Sequence, residues 1–453
     1  MSAQAAVAGT RLADIIGAQN VIADPRELSA YAVDGVPPKA AARPGTAQET
    51  ADLVKFAAAE NLVVISTGAR TKLGIGMPPA RYDLAIDLTR LDRVISYDPG
   101  DLTLSVEPGI PLARLAQVLA EHNQFLPLEV PFFERATVGG TLSSGVDSPL
   151  RQLYGTPRDF VLGMEFVTGE GALAKSGGRV VKNVTGYDLH KLMLGAIGSL
   201  GVITRVNFKT FPLPSATATF LASFSNMQAA AAFNSLIHKS PLRCQAIEIL
   251  SPSAVALLTE NAPSLAAAPL NSFIVAVRIA GNDAALTRCE RDLRTMAENS
   301  ATSLRGFARL DNEQHLGTAI REFPSACDSH PADVLFKASC LRSDFAAFFD
   351  ETSALAQQHA CKISHLFHGC GICYLWMESS PDSSNSLASA CQEFLQRVAK
   401  SGRSASIASC ALELKRQLNI WGPPREDFPL MQQIKRAFDP RSIFAPGRFV
   451  GGL

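Results

Sequence analysis

The amino-terminal half of the chain alternates between helical and strand-like patterns of apolar residues. Residues 46–60 carry apolar side chains at helical spacing behind a Thr-x-x-Glu start, which is typical of a capped helix. Residues 111–122 predict a second helix, with proline in its first turn. Apolar or β-branched runs bounded by Asp, Pro or Gly predict strands over 62–65, 84–88, 94–97, 102–106, 160–168 and 202–208. The pattern therefore predicts a first domain of mixed helices and strands.

The pattern changes near Pro212-Leu213-Pro214. Beyond this point alanine-rich helical patterns interleave with strand-like runs, which predicts an α+β domain packed over the first one. The predicted helices cover 227–236, 253–259 and 284–297, and the predicted strands cover 272–279, 334–338 and 372–377. We therefore expect a first domain over residues 1–214, a second over 215–430 and a tail over 431–453.

Composition excludes several classes of protein. A chain of 453 residues with 47% hydrophobic and 19% charged residues is typical of a folded protein with more than one core. Forty-two basic residues balance forty-two acidic ones, so we expect no nucleic-acid partner. No run approaches the ~20 apolar residues of a spanning helix, and residues 1–17 do not have the pattern of a secretory signal. Nine cysteines, all in the second half, favour reduced thiols in the cytoplasm.

A glycine-bearing loop follows the predicted strand at 62–65. Glycine lets the backbone approach an anion closely, and successive N–H groups with Thr hydroxyls can hold phosphate oxygens. Arg70 and Lys72 could add positive charge. The loop is neither a Walker loop nor a dinucleotide fingerprint, and an ordinary turn remains an alternative. Its candidate residues are Thr67, Gly68, Ala69, Arg70, Thr71, Lys72 and Gly76.

Two further segments combine glycines with small residues. One covers 136–145 and is followed by 155–159; the other covers 177–188 and leads to 195–204. Small side chains suit a flat ring or a pyrophosphate pressed against the backbone, and Gly198 and Gly201 flank a tight turn before a strand. Each segment could be structural. Three of them within ~140 residues, none of which resembles a nicotinamide fingerprint, are harder to explain as structural alone.

The first half resembles the FAD-binding domain of the vanillyl-alcohol-oxidase type. The segment 177–188, together with the carboxy-terminal run 421–452, resembles the FAD-binding subunit of bacterial glycolate oxidases. The resemblance extends over 44–453 and is weaker between 214 and 409. It implies an α+β fold, with a two-part FAD-binding domain, an α+β cap and a tail (431–453) that returns to the FAD domain.

The resemblance also implies roles for residues that match the family motifs. The loop from Gly68 to Gly76 would hold the FAD pyrophosphate. Residues implied to line the ribityl chain and the isoalloxazine are Pro131, Thr137, Gly139, Gly140, Ser143, Ser144 and Gly145. Residues implied to lie close by, or to meet the adenine side, are Gly155, Arg158, Asp159, Gly198, Gly201, Val202 and Ile203. Some relatives attach the flavin to a His near the loop; this chain has Thr71 and no His there, so we expect non-covalent FAD.

A histidine and cysteine cluster gives a separate hypothesis. His365, His368, Cys370 and Cys373 are residue types that ligate zinc or iron. Strand alternation, however, would place Cys370 and Cys373 on opposite faces, so a structural strand is favoured and no metal is assigned. A metal site or a redox dithiol remains the alternative. The catalytic relatives carry a His-rich metal site here, and this chain lacks their H-x-G-D-G-N-like motif, which favours electron relay or completion of a complex.

The resemblance implies an FAD-dependent oxidoreductase that acts on the CH–OH group of a small 2-hydroxy acid, glycolate or lactate. Arg321 or Arg342 could hold its carboxylate, although surface ion pairing is the commoner role of Arg. The chain has no cluster-type cysteine run, so we expect a paralogous FAD subunit and an iron–sulfur subunit as partners. We expect it in the cytoplasm, or at the inner membrane through those partners. Two alternatives stay open: a self-sufficient D-lactate dehydrogenase or related oxidase, and an assembly subunit that has lost FAD.

Overall fold

The computed structural model describes residues 3–179, 186–300, 303–311, 313–326, 330, 332–378 and 384–453. Residues 180–185, which belong to the third glycine-bearing segment, lie outside this set. Among the described residues, no helix is both long enough and apolar enough to cross a bilayer.

The chain begins with a four-stranded sheet flanked by helices. Its strands are β1 (Val21–Ile22), β2 (Ala40–Ala42), β3 (Val64–Thr67) and β4 (Leu84–Asp87), in the order β1-β2-β4-β3. β2, β4 and β3 are parallel, and β1 is antiparallel to β2. The helices are α1 (Ala3–Ile16), α2 (Pro25–Leu28) and α3 (Ala47–Ala59). α3 begins at Thr46, whose hydroxyl accepts the Glu49 N–H at 3.0 Å, and it buries Leu53 and Val54.

A five-stranded antiparallel sheet follows, in the order β5-β6-β10-β8-β9. The strands of this region, including a separate pair β7 and β11, are β5 (Val94–Asp98), β6 (Thr103–Val106), β7 (Gln124–Phe125), β8 (Val161–Val167), β9 (Leu173–Gly177), β10 (Val202–Lys209) and β11 (Phe211–Pro212). The helices are α4 (Leu112–Ala120), α5 (Val138–Ser144), α6 (Arg151–Tyr154), α7 (Pro157–Phe160) and α8 (His190–Met193). Leu115 and Leu119 of α4 pack with Val206 and Phe208 of β10 in one buried cluster.

The second half of the chain builds an eight-stranded sheet in the order β15-β12-β14-β13-β17-β18-β16-β19, with every described pairing antiparallel. Its strands are β12 (Thr217–Phe224), β13 (Cys244–Leu250), β14 (Phe273–Ala280), β15 (Leu304–Asp311), β16 (Val334–Ser339), β17 (Lys362–His368), β18 (Ile372–Glu378) and β19 (Ser404–Ser409). Its helices are α9 (Met227–Lys239), α10 (Pro252–Leu258), α11 (Asp283–Ser300), α12 (His315–Ala326), α13 (Phe345–Gln358), α14 (Ser384–Lys400) and α15 (Leu412–Gln417).

The last segment returns to the first sheet. After α16 (Phe428–Phe438), the Val64 N–H donates to the Ile443 carbonyl at 2.8 Å, and the Ala445 N–H donates to the Val64 carbonyl at 2.9 Å. The buried Lys435 ammonium donates to Asp439 Oδ2 at 2.7 Å and to the Phe444 carbonyl at 2.8 Å. The final residues therefore extend the edge beside β3 and lie close to the loop that follows it.

The predicted elements that carried a long periodic signal are present with small shifts at their ends. The predicted α+β class is confirmed. Residues 136–145, for which no secondary structure was predicted, contain the helix α5. One local interpretation was wrong. Residues 365–373 do not form one regular strand, because β17 ends at His368 and β18 starts at Ile372 after a turn through Cys370.

Candidate functional site

An open cleft lies between the loop after β3, the start of α5 and the turn before β10. Three stretches that are distant in sequence meet in it: 66–75, 137–144 and 197–203. The predicted site residues that line it are Thr67, Gly68, Ala69, Arg70, Thr71, Lys72, Thr137, Gly139, Gly140, Ser143, Ser144, Gly198 and Ile203. We call it the first cleft.

Glycines let these three stretches pack together. A Cβ at Gly68 would lie 2.1 Å from Thr137 Oγ1, and a Cβ at Gly139 would lie 2.7 Å from Pro108 Cβ. A side chain at Gly68 would therefore push the loop away from the start of α5, and one at Gly139 would push α5 away from Pro108. The non-glycine residues Arg70 (φ 61°) and Ile197 (φ 46°) also adopt left-handed backbone conformations and line the cleft. Such conformations cost about 1–3 kcal/mol each and concentrate at ligand sites.

Some polar side chains of the first cleft have hydrogen-bond partners within the protein, and one has none among the described residues. The Arg70 guanidinium lies 3.1 Å from Asp87 Oδ2 and stacks over the Tyr31 ring at 4.4 Å. Burial and the hydrogen bond to Asp87 raise the pKa of Tyr31 to about 12, so its hydroxyl stays protonated at neutral pH. The Thr67 hydroxyl, in contrast, is buried and has no hydrogen-bond partner among the described residues. A buried hydroxyl in this state fits a ligand that supplies the missing hydrogen bond.

Arg448 of the tail binds the backbone of the loop that follows β3. Its buried guanidinium donates to the carbonyls of Leu73 at 2.6 Å, Ile75 at 2.7 Å and Met77 at 3.2 Å. Lys415 of α15 donates to the carbonyl of Gly74 in the same loop. Arg448 also lines the first cleft, so the tail contributes both to the wall of the cleft and to the shape of the loop.

A second cleft adjoins the first and shares Thr71, Lys72, Ile75 and Ser144 with it. It lies between the loop after β3 and the eight-stranded sheet, and the predicted residues Pro131 and Gly145 line it. Its walls are largely apolar. The side chains that contribute from the sheet and the tail include Leu335, Lys337, Tyr374, Ile407, Trp421, Phe449 and Val450.

Two lysines line the second cleft and differ in their partners. The Lys337 ammonium lies 2.6 Å from Asp147 Oδ2 and donates to the Gly145 carbonyl at 2.9 Å. Burial raises the pKa of Asp147, but Lys337 and Arg151 outweigh it and hold that pKa below its usual value. For Lys72, burial lowers the pKa to about 8, although the charge of Glu322 opposes the shift.

Six of the predicted residues line neither cleft. Gly155, Arg158 and Asp159 form a turn of their own, in which the Asp159 carboxylate accepts the Thr156 N–H at 2.7 Å and the Arg158 guanidinium donates to the Lys191 carbonyl at 3.0 Å. Gly201 packs against β8, where a Cβ would lie 2.8 Å from the Val167 carbonyl. Val202 is buried in the core and Gly76 packs against the backbone of Arg448. A contact of these six residues with a cofactor stays a prediction.

The histidine and cysteine hairpin is part of the core. His365 and His368 are both buried, yet His365 hydrogen-bonds Thr352 of α13 at 2.8 Å while His368 hydrogen-bonds Glu248 of β13 at 2.5 Å. Burial lowers the pKa of His365 to about 3, so that ring is neutral. Cys370 lies in the turn and Cys373 is buried in β18. Among the described residues, no group of three or more His, Cys, Asp or Glu side chains is arranged to hold a metal ion.

Four residues that line the clefts were not predicted from the sequence: Pro108 and Ile197 in the first cleft, and Lys337 and Tyr374 in the second. The two sheet residues alternate like those of any buried strand. Arg448 of the returning tail also lines the first cleft; the sequence left it open between a contact with flavin or substrate and an ordinary ion pair. Arg321, a candidate carboxylate ligand, pairs with its neighbour Glu322 at 3.0 Å and lines neither cleft. Arg342 lines neither cleft as well.

Two sequence families match the chain. Residues 38–177 match the family described as FAD binding domain, and residues 213–449, more than half of the chain, match FAD linked oxidases, C-terminal domain. Glycolate oxidase subunit GlcD of Bacillus subtilis is 24% identical over 92% of this chain and 91% of that protein. D-2-hydroxyglutarate dehydrogenase of Xanthomonas citri is 26% identical over 91% of this chain and 89% of that protein. Glycolate oxidase subunit GlcE of Escherichia coli is 35% identical over 40% of this chain and 52% of that protein.

Solved structures share the fold at low sequence identity. A 4-ethylphenol oxidase from Gulosibacter chungangensis is 17% identical, with a TM-score of 0.75 over 99% of this chain and 97% of that one. A p-cresol methylhydroxylase is 18% identical, with the same TM-score and coverage. The predicted fold, a two-part FAD-binding domain of the vanillyl-alcohol-oxidase type with an α+β cap, is therefore confirmed.

The first cleft fits the cofactor that this family name implies. Most of its lining comes from residues within the FAD-binding match, its glycine contacts leave backbone rather than side chains at the wall, and Thr67 offers a buried hydroxyl without a protein partner. Tyr374 and Lys337 of the cap close the neighbouring cleft. The protein is thus a member of the FAD-linked oxidases, with an FAD-binding domain followed by the C-terminal domain of that family.

Proposed function

We propose that this chain is the FAD-binding subunit of a glycolate oxidase- or dehydrogenase-like complex, which oxidises a small 2-hydroxy acid and passes the electrons to a partner subunit. The observation that carries the proposal is the pair of joined clefts: one has a backbone wall suited to a dinucleotide, and the other is an apolar chamber under the cap with a lysine at the junction. Glycolate and lactate are the first candidate substrates, because relatives named as glycolate oxidase subunits span or partly span the chain.

We propose that FAD is held without a covalent bond in the first cleft. No His, Cys or Tyr side chain is among the residues that line it in the described part of the chain. When bound, FAD would accept the two electrons of the substrate as a hydride from the carbinol carbon. The residues of the second cleft would orient the hydroxy acid and exclude water, since Phe132, Leu335 and Trp421 form much of its wall.

Electrons would leave to a partner. None of the eight described cysteines, which lie in the cap, forms a disulfide or a cluster-type run with its neighbours. We therefore propose a paralogous FAD subunit and an iron–sulfur subunit as partners, in the cytoplasm or at the inner membrane through those subunits.

The proposal is tested by purifying the full chain alone and after co-expression with the proposed partners, the paralogous FAD subunit and the iron–sulfur subunit. We expect a yellow protein whose flavin is released by acid precipitation, as non-covalent FAD requires. Anaerobic addition of glycolate or D-lactate should bleach the flavin, and an artificial acceptor should restore its colour. A folded protein that stays colourless with excess FAD would contradict the proposal and favour an assembly subunit.

A self-sufficient dehydrogenase is the second candidate, because the similarity to D-2-hydroxyglutarate dehydrogenase covers 91% of the chain. The two candidate functions differ in the turnover rate expected for the chain alone. If the chain alone reduces the artificial acceptor as fast as the co-purified complex, the self-sufficient enzyme is favoured.

A further inference from the structure

Lys72 lies where the two clefts meet. Its side chain lines both of them, and it is half-buried. Its ammonium lies 5.7 Å from the centre of the Phe132 ring, and Phe132 lines the second cleft but not the first. The charge of Lys72 is therefore directed towards the chamber under the cap.

The other cations around the clefts have partners within the protein. Lys337 is neutralised by Asp147, Arg70 by Asp87, and Arg448 donates to three carbonyls of the loop. Lys72 has a weak contact with its neighbour, since its ammonium donates to Thr71 Oγ1 at 3.3 Å. In the described part of the chain, no carboxylate lies within 4 Å of this ammonium.

The carboxylate that could neutralise Lys72 is engaged elsewhere. Glu322 of α12 accepts the Phe132 N–H at 2.8 Å and the Arg321 guanidinium at 3.0 Å. Its charge acts on Lys72 across a distance without forming an ion pair. A half-buried cation without a counter-ion is unfavourable, and an anion that enters the second cleft would relieve this.

We propose that Lys72 is the residue that binds the carboxylate of the 2-hydroxy acid in the second cleft; this rests on the proposed function. The carboxylate would form a charge-assisted hydrogen bond with the ammonium, while the rest of the acid lies against the apolar wall. Lys72 would then be a substrate-binding residue that fixes the position of the carbinol carbon relative to the first cleft.

The proposal has a pH signature. The ammonium form binds a carboxylate, and burial lowers the pKa of Lys72 to about 8, so affinity should be full below that pH and fall about tenfold per pH unit above it. The titratable and charged groups that surround Lys72 on the packed elements are Glu322, Lys337, Asp147, Tyr374, Arg70 and Arg448. Burial raises the pKa of Tyr374 beyond the working range, so Tyr374 does not account for such a transition.

The test uses the full chain loaded with FAD and compares Lys72→Met, Lys72→Arg and Lys209→Met. Lys209 is a matched control, because its ammonium also lies over an aromatic ring, Phe211 at 5.5 Å, yet it lines neither cleft. Pyruvate and oxalate serve as probes, since they keep the carboxylate and lack a carbinol C–H. Each probe is titrated into the protein at several pH values between 7 and 10. Its dissociation constant at each pH is obtained from the shift of the flavin absorption band that the probe causes.

We expect Lys72→Met, saturated with FAD, to bind both probes at least about 30-fold more weakly at pH 7, as loss of a charge-assisted hydrogen bond implies. Lys72→Arg should bind them and lose the alkaline transition, because Arg stays charged. Lys209→Met should match the wild type.

Three outcomes would overturn the proposal. Unchanged probe affinity in Lys72→Met would mean that another group holds the carboxylate. A folded Lys72→Met protein that loses FAD would assign Lys72 to the cofactor. If Lys72→Met fails to fold, the test rests on Lys72→Arg. A fall of probe affinity at alkaline pH that persists in Lys72→Arg would then overturn the proposal. Failure of the proposed function is distinguishable, since the wild-type chain would then retain no FAD, or would show no bleaching with glycolate or D-lactate although pyruvate and oxalate still bind.

Discussion

Two short helices of the FAD-binding domain begin alike and lie in different settings. α5 starts after Thr137 and α7 starts after Thr156, and each threonine is the N-cap residue. Three residues later α5 has Gly140, whose N–H donates to Thr137 Oγ1 at 3.4 Å, whereas α7 has Asp159, whose carboxylate accepts the Thr156 N–H at 2.7 Å. The start of α5 lines the first cleft, and the start of α7 lines neither cleft.

The third helical residue explains the difference. Asp159 supplies a negative charge at the start of α7 and fills the space beside Gly155, where a Cβ would lie 2.4 Å from Asp159 Oδ2. Gly140 has no side chain that could do the same, so the backbone of α5 faces the cleft. Both segments contain glycine and small polar residues. A carboxylate at the third helical position, however, indicates a helix start whose N–H groups are bound by the protein's own side chain and not by a ligand.

The largest effect on stability should come from Arg448, which binds three carbonyls of the loop after β3. Arg448→Met would leave the carbonyls of Leu73, Ile75 and Met77 without their donor in a buried place. We expect the free energy of unfolding to fall by about 3–5 kcal/mol, in the range for breaking a buried charged network. Urea denaturation followed by circular dichroism measures this change.

Arg158→Met is the control from the other region. The exposed Arg158 guanidinium donates to one carbonyl, that of Lys191, so stability should change by less than about 0.5 kcal/mol. Equal effects of the two substitutions would contradict the view that the tail fixes the loop.

The contrast also marks what could be predicted from the sequence. Helices such as α3 and α4 and strands such as β10 follow from local apolar periodicity, which does not depend on the rest of the fold. α5 was missed because it has seven residues, two of them glycine, and its helical state depends on packing against Pro108 and Gly68.

The site was predictable in part for the same reason. Glycine indicates that something approaches the backbone, but it does not tell whether this is a ligand or the protein. Gly68 and Gly198 line the first cleft, while Gly201 packs on the Val167 carbonyl. The hydrogen bond between Arg448 and the Leu73 carbonyl, and the placing of Lys337 opposite the loop in the second cleft, depend on tertiary contacts that no local pattern encodes. The domain boundaries at 214 and 430 stay predictions.

Gly68→Ala and Gly155→Ala should separate the two regions by their effect on the cofactor. Each added Cβ would meet a side-chain oxygen, of Thr137 at 2.1 Å or of Asp159 at 2.4 Å. We expect Gly68→Ala to weaken FAD binding about 100-fold, or about 2.7 kcal/mol, because the loop would move away from α5. Gly155→Ala should lower stability and leave FAD affinity within about twofold. Isothermal titration of the apoprotein with FAD measures both.

Gly74→Ala controls for a substitution in the same loop. A Cβ at Gly74 would have no heavy atom within 4 Å, so FAD affinity should match the wild type. A large loss in Gly74→Ala would mean that loop flexibility, rather than the contact with α5, determines affinity.

A smaller effect should come from the buried hydroxyls. Thr67 and Thr141 both have a buried Oγ1 without a partner among the described residues, and Thr67 lines the first cleft while Thr141 does not. Replacing either by Val should leave the apoprotein equally stable or about 1 kcal/mol more stable. We expect Thr67→Val to weaken FAD binding about tenfold and Thr141→Val to leave it unchanged. Equal FAD affinity in both variants would show that Thr67 does not contact the cofactor.

The smallest effect should follow from Asp159→Ala. Loss of the acceptor for the Thr156 N–H should cost about 1 kcal/mol of stability, which is the usual value for a helix cap. FAD affinity should remain within about twofold, because the carboxylate acts on its own helix and on the space beside Gly155. Thermal unfolding of the apoprotein and titration with FAD measure the two quantities on the same sample. A tenfold loss of affinity would instead bring residues 155–159 into contact with the cofactor, as the family resemblance implies, and the third helical residue would no longer distinguish the two helix starts.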